Sequence, residues 1–315
     1  MDHSGMTTTE TITAAASGTW KLGDLEVNRL GFGAMRIPQN GAALHAAAAS
    51  GDRDRALAVL RRAVELGVNH IDTAAFYFSP LRSANELINS ALGGPYPEDL
   101  VIATKVGPAR GASGEWTEHA GPRELRGQVE ENLRQLGRDH LDLVNLRVSG
   151  IPGGTTAVAE RFGALAELRE AGLIRNLGVS NVTPEQLAEA RSVAPVVCVQ
   201  NPYGIGMRPD QDEFVRYCGE QGIAFVPFYS IATTGREGGA SGTEDEALLA
   251  VARAHGASPA QIRLAWTLQR GPHVLAIPGT GNPDHLTANV AAAALRLTEA
   301  ELTTLDTLHR RTEEA

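Results

Sequence analysis

Eight short runs of nearly continuous apolar residues, each followed by residues at helical spacing, constrain this chain's fold more than any other feature. In order they are RLGFGAM, VNHIDTA, DLVIATKVG, HLDLVNLRVSG, IRNLGVSN, VVCVQ, IAFVPFYS and VLAIPGT. A strand with one wet face alternates apolar and polar residues, so runs that do not alternate read as parallel strands covered on both sides. The segments between them supply the cover. In DRDRALAVLRRAVELG, Leu57, Leu60 and Val64 share one helical stripe, with Asp52 or Asp54 placed to cap the start and Gly67 to end it. GPRELRGQVEENLRQLG repeats the pattern with Leu125, Val129, Leu133 and Leu136. Further helices are expected in SANELINSALGG, AVAERFGALAELREAG, TPEQLAEARSV, DQDEFVRYCGEQG and the stretch from Glu244 to Gln269. Eight such repeats predict one α/β domain, a closed (β/α)8 TIM barrel over 21–315, in preference to an open doubly wound sheet. No GxGxxG turn follows the first run, which removes the main sequence argument for a Rossmann fold.

Composition bounds the partners. The net charge is −9 with Lys and Arg scattered, so the basic stripe that nucleic-acid binding needs is missing and an anionic ligand must be held locally. No run approaches the roughly 18 apolar residues of a membrane span. Residues 1–20, MDHSGMTTTETITAAASGTW, lack a basic start and a long apolar run; they read as a disordered tail and not as a signal peptide. Cys198 and Cys218 form no CxxC pair, so neither a disulfide framework nor a zinc or other metal site is expected, and a reducing cytoplasm is the default location. The sequence leaves the oligomeric state open.

A barrel of this kind assembles its active site at the carboxyl ends of its strands. Residues able to do chemistry cluster there: Asp72 at the end of the second run, Tyr77 just after it, Lys105 ending the third, Arg147 the fourth, Ser180 and Asn181 the fifth, and Gln200 the sixth. From IDTAAFY and IATKVG onward the chain resembles the aldo-keto reductase superfamily, with GVSN at Gly178–Asn181, Gln200 and IPGT at Ile277–Thr280 matching family motifs in order. The resemblance runs from about Arg29 to Ala294. It implies reduction of a carbonyl by hydride from a nicotinamide cofactor, with Asp72, Tyr77 and Lys105 as three of the family's four catalytic residues.

The chemistry of those residues agrees. Hydride addition to a carbonyl leaves an alkoxide that needs a proton, and a phenol of pKa about 10 donates better beside a cation. Tyr77 is then the acid, Lys105 its neighbouring cation, and Asp72 the partner that keeps a buried Lys105 charged. By resemblance, Ser180, Asn181 and Gln200 orient the nicotinamide carboxamide, and Phe228 stacks on the ring; Phe228 as a plain core aromatic is the alternative. The resemblance extends the cofactor set to Tyr229, Ser230 and Ile231, at the head of a glycine-rich loop suited to a pyrophosphate, and to Ile277, Gly279, Thr280, His285 and Asn289. Asn282 followed by Pro283 reads as a helix start, where backbone N–H groups attract phosphate. Many NADP-binding relatives carry Lys and Arg where this chain has Gly279 and His285, yet some with IPGT use NADPH, so NADPH is expected with NADH not excluded.

Arg147 departs from the pattern. It stands where the family places a histidine, and a permanently charged guanidinium donates hydrogen bonds without exchanging protons. It suits a developing oxyanion or a phenolate on the substrate; a structural pairing with Asp142 or another carboxylate is the alternative. DLVNLRVSG resembles a branch that includes bacterial pyridoxal reductases, which implies a small carbonyl substrate of the pyridoxal type. Two other readings stand beside it: reduction of a ketone or conjugated C=C bond in a biosynthetic pathway, and a cofactor-binding sensor with little turnover, against which intact Tyr77 and Lys105 argue. The substrate pocket is expected from 40–51, from GPARGASGEWTEHAG with Trp116 as an aromatic wall or loop packing, from GIPGG and from the tail after Leu297.

Overall fold

The computed structural model describes residues 11–40, 49–111, 115–116, 120–148, 158–231 and 244–311. Its strands are β1 (Thr19–Leu22), β2 (Leu25–Asn28), β3 (Phe32–Gly33), β4 (His70–Asp72), β5 (Phe78–Ser79), β6 (Arg82–Ser83), β7 (Val101–Val106), β8 (Leu141–Arg147), β9 (Ile174–Ser180), β10 (Cys198–Gln200) and β11 (Ala224–Phe225). Its helices are α1 (Arg53–Glu65), α2 (Ala84–Leu92), α3 (Pro122–Leu136), α4 (Val158–Glu170), α5 (Pro184–Val193), α6 (Asp212–Glu220), α7 (Glu246–Ala254), α8 (Pro259–Leu268), α9 (Pro283–Ala291) and α10 (Glu299–Arg310).

Seven strands form one parallel sheet in the order β11-β10-β9-β8-β7-β4-β3. The eighth run closes it. Val274 pairs with Phe225 on one side and Ala276 with Leu30 on the other, both parallel, so the sheet curls back on itself as the predicted (β/α)8 barrel. Arg29 fastens this seam: its guanidinium donates to the carbonyls of Leu268, Gly271 and Val274.

The helices bury the stripes that the sequence indicates. Leu125, Val129, Leu133 and Leu136 of α3 are all buried, each contributing roughly 1.5–3 kcal/mol. Asp52, and not Asp54, caps α1 by accepting from the Arg55 N–H at 2.8 Å, while Gly67 adopts the left-handed φ of 80° that ends it.

One expectation is corrected and two segments are defined more closely. Part of the segment expected as a tail is packed: Ala14–Ser17 form a turn of 3-10 helix with Ala14 fully buried, and Thr19 opens the β1–β2 hairpin. Leu22 and Val27 of that hairpin cluster with Val101, Leu143, Cys198, Ala224 and Leu275, closing the amino end of the barrel. The helical stretch from Glu244 to Gln269 divides into α7 and α8, because Gly256 turns left-handed and Ser258 with Gln261 forms a new capping box before Pro259. The tail after Leu297 is helix α10, held to α8 by the Trp266 indole N–H on Asp306 at 2.8 Å. No described helix is long and apolar enough to cross a membrane.

Candidate active site

Strand register brings the site together. Asp72 ends β4, Lys105 lies one residue before the end of β7, and both side chains are inside the barrel at 3% exposure. The Lys105 Nζ donates to Asp72 Oδ1 at 2.5 Å and to the Thr73 carbonyl at 3.0 Å. Burial alone pulls the Lys105 ammonium down; the Asp72 carboxylate and then Tyr77 raise it, and the net direction is upward. Lys105 therefore stays a cation in a dry site. Its Nζ is 4.9 Å from the centre of the Tyr77 ring, and Tyr77 is itself buried. Two backbone bonds fix that tyrosine's turn: its N–H donates to Ala74 at 3.0 Å, and its carbonyl accepts from Ala84 at 2.7 Å.

A second group forms around Arg147. The guanidinium donates a long 3.5 Å bond to Ser180 Oγ and lies 5.2 Å from the Phe228 ring centre, a cation over an aromatic face. The suggested pairing with Asp142 does not exist: Asp142 is at the other end of β8, where it holds Arg138 at 2.6 Å and the Ile102 N–H at 2.9 Å. Among the described residues no carboxylate pairs with Arg147.

The residues expected to hold the nicotinamide behave less uniformly than the sequence suggests. Gln200 spends its amide nitrogen on Asp72 Oδ2 at 2.8 Å, which ties it to the Asp72–Lys105 pair, while its Oε1 is buried without a partner among the described residues. Asn181 takes a left-handed φ of 59° and donates its N–H to the Gln200 carbonyl. Phe228 and Tyr229 meet edge to face at 4.9 Å, Tyr229 is left-handed at φ 66°, Ser230 is buried and Ile231 half-buried. Beyond the eighth strand, Thr280 Oγ1 accepts from the Asn282 N–H and Asn282 caps α9 through the Asp284 N–H, as the Asn-Pro pair predicts. His285 is exposed on the first turn and Asn289 buried four residues on. Ile277 and Gly279 press against the first strand: a Cβ on Gly279 would lie 2.4 Å from the Gly33 carbonyl oxygen, and one on Gly33 would lie 2.6 Å from that of Ile277. These features fit a nicotinamide dinucleotide. An orphaned buried acceptor, a half-buried aromatic and a capped helix start lie at one end of one barrel.

Four residues near the site escape the sequence reading. Thr73 contributes only a carbonyl. Asn145 interrupts the apolar run Leu143–Leu146, the one visible signal of the four, and its carboxamide fills the space over Gly178. Arg161 is buried on α4, donating Nε to the Ala120 carbonyl, and Arg110 bonds the turn that carries Tyr77.

A parallel barrel whose mouth groups a phenol with an ion-paired ammonium has the equipment of a carbonyl oxidoreductase. The model of the Aldo/keto reductase family matches residues 29–310, and the chain belongs to that family. Pyridoxine 4-dehydrogenase of Escherichia coli (strain K12) is 44% identical over 298 residues, covering 94% of this chain and 99% of the relative. An uncharacterized oxidoreductase of Schizosaccharomyces pombe is 38% identical, covering 94% and 91%. Among solved structures, a thermostable aldo-keto reductase in complex with the inhibitor epalrestat superposes with a TM-score of 0.76 at 31% identity, over 92% of this chain and 99% of that one. An aldo/keto reductase from Klebsiella pneumoniae in complex with NADP and acetate gives 0.74 at 28%, over 90% and 92%.

Proposed function

We propose that this oxidoreductase uses NADPH to reduce an aromatic aldehyde of the pyridoxal type, with Tyr77 as proton donor. The observation that carries the reading is the buried Asp72–Lys105 pair beside the Tyr77 ring. When bound, the reduced nicotinamide supplies the hydride. Tyr77 gives its hydroxyl proton to the carbonyl oxygen, and the Lys105 ammonium stabilises the phenolate that remains. Asp72 and the Thr73 carbonyl keep that ammonium charged and in place. Ser180, Asn181 and Gln200 are the residues that would hold the carboxamide, with Gln200 Oε1 as acceptor. NADPH is supported by the NADP complex of the Klebsiella relative and by a second one in complex with NADPH, 27% identical at a TM-score of 0.74.

Arg147 supplies the substrate preference. A half-buried guanidinium without a carboxylate partner among the described residues suits the phenolic oxygen beside an aldehyde, and the name of the Escherichia coli relative points to the same ring. A cytoplasmic location is supported by Cys198 and Cys218, both free and buried.

The test measures NADPH and NADH oxidation at 340 nm with pyridoxal and benzaldehyde, for the wild type and Arg147→His. One charge-assisted hydrogen bond contributes about 1.5–3 kcal/mol, so kcat/KM should favour pyridoxal by roughly 10- to 100-fold, and Arg147→His should lose most of that margin. Equal rates for the two aldehydes in the wild type would sink the substrate assignment.

A further inference from the structure

Tyr77 sits outside the strands, in the turn between β4 and the β5–β6 hairpin, so something other than the barrel ladder must set its position. The carbonyls on either side of it share one donor. Arg110 NH1, from the loop after β7, bonds the Phe76 and Phe78 oxygens at 3.2 Å each. The same guanidinium lies 4.5 Å from the Phe78 ring centre and 5.8 Å from that of Trp116.

Arg110 and Trp116 face one another across an antiparallel bridge, closed by the Gly111 N–H on the Glu115 carbonyl at 2.8 Å. Glu115 in that turn also acts on the guanidinium electrostatically. Trp116 is 46% exposed and meets Phe76 edge to face at 5.7 Å; Phe76 in turn meets Tyr77 at 5.1 Å. Arg110 thus grips the backbone on both sides of Tyr77, and Trp116 braces the aromatic beside it. Holding those two carbonyls on one planar donor restricts the backbone angles of Tyr77 and Phe78 together, and a lysine, a point charge on a flexible stem, would restrict them less.

We propose that Arg110 is a positioning residue for the Tyr77 hydroxyl, and that the bridged pair Arg110 and Trp116 is part of the mounting of the acid. This rests on Tyr77 as the proton donor. Displacement of a reacting group by about 1 Å can cost on the order of 100-fold in rate, and Arg110→Gln removes only one support, so a kcat loss of about tenfold is expected. The dissociation constant of NADPH, read by its fluorescence, should stay within about twofold, since Arg110 is not among the residues proposed to hold the cofactor.

The deciding experiment is a double-mutant cycle with Tyr77→Phe, read by single-turnover rates. Arg110→Gln should slow the wild type about tenfold and the Tyr77→Phe enzyme less than about twofold; Arg110→Lys should fall between wild type and Arg110→Gln. Equal slowing in both backgrounds, or a kcat of Arg110→Gln within about twofold of wild type, would overturn the proposal. Full turnover by Tyr77→Phe alone would remove the proton-donor reading, and Arg110's role with it, a failure separate from additivity in the cycle. If Arg110→Gln melts before assay, Arg110→Lys carries the same cycle, because it keeps the cation but not the planar fork.

Discussion

Asp72→Asn leaves a buried ammonium without its counter-charge, and the structure sets the size of the effect. Both side chains are nearly inaccessible, and Asp72 Oδ1 is 2.5 Å from Lys105 Nζ. At an effective dielectric constant of about 20 the attraction is roughly 6–7 kcal/mol, most of it offset by the desolvation of the two ions. Asparagine removes the attraction without returning Lys105 to water, so the expected loss is about 3–5 kcal/mol. In the wild type the raised Lys105 value makes the pair's contribution whole below the ordinary lysine range and lost as pH rises through the folded value. In the variant burial dominates, Lys105 gives up its proton at lower pH, and Tyr77 loses the adjacent cation. Urea unfolding at pH 7.5 should show the stability loss, and kcat should fall by at least about tenfold, with residual turnover rising as pH is lowered and Lys105 regains its charge. The double variant Asp72→Asn/Lys105→Met should recover most of the stability and none of the turnover. A loss below about 1 kcal/mol for Asp72→Asn, with an unchanged pH profile, would refute the argument.

Acid should weaken the fold through His70, which burial pushes down to about 4 from 6.5, Asp72 opposing and Lys105 assisting. Stability is then complete above pH 6.5 and falls by about 3 kcal/mol as pH drops to about 4, so urea unfolding at pH 7.5 and 4.5 should differ far less in His70→Gln than in the wild type. An equal acid loss in both proteins would show that His70 is not the cause. Gly279→Lys, which supplies the lysine common in NADP-binding relatives, places a Cβ 2.4 Å from backbone at Gly33 and should cost about 1–3 kcal/mol. Thermal melting and NADPH titration would check it, and tighter binding at an unchanged melting temperature would contradict the close contact.

The barrel is legible in the sequence because parallel strands buried on both faces leave unbroken apolar runs, and eight of them leave few other folds. The proposed trio of Asp72, Tyr77 and Lys105 is legible because each member ends or closely follows a run. Features that arise from contacts distant in sequence leave no such mark. Nothing in TWKLGDLEVN shows that Leu22 and Val27 will close the barrel's amino end, because their partners lie more than seventy residues away. Arg110 reads as one more surface cation until the fold carries it to the turn of Tyr77. Gln200 reads as a cofactor ligand, and only the curvature of the sheet reveals that its nitrogen belongs to Asp72. Helix α10 hides because its buried face is short, with Leu305 and His309 as its fully buried residues.

The seam between Leu30 and Ala276, with Arg29 bonding Val274 at a separation of 245 residues, also bears on how the molecule is made. A ribosome delivers the first strand long before the last, so the growing chain must carry an incomplete sheet with two bare edges through most of its synthesis. Closure waits for the segment near residue 276, a pairing across almost the whole chain of the kind that forms late. Truncation before that segment would remove more than a cofactor loop, leaving strands with no neighbour to finish them.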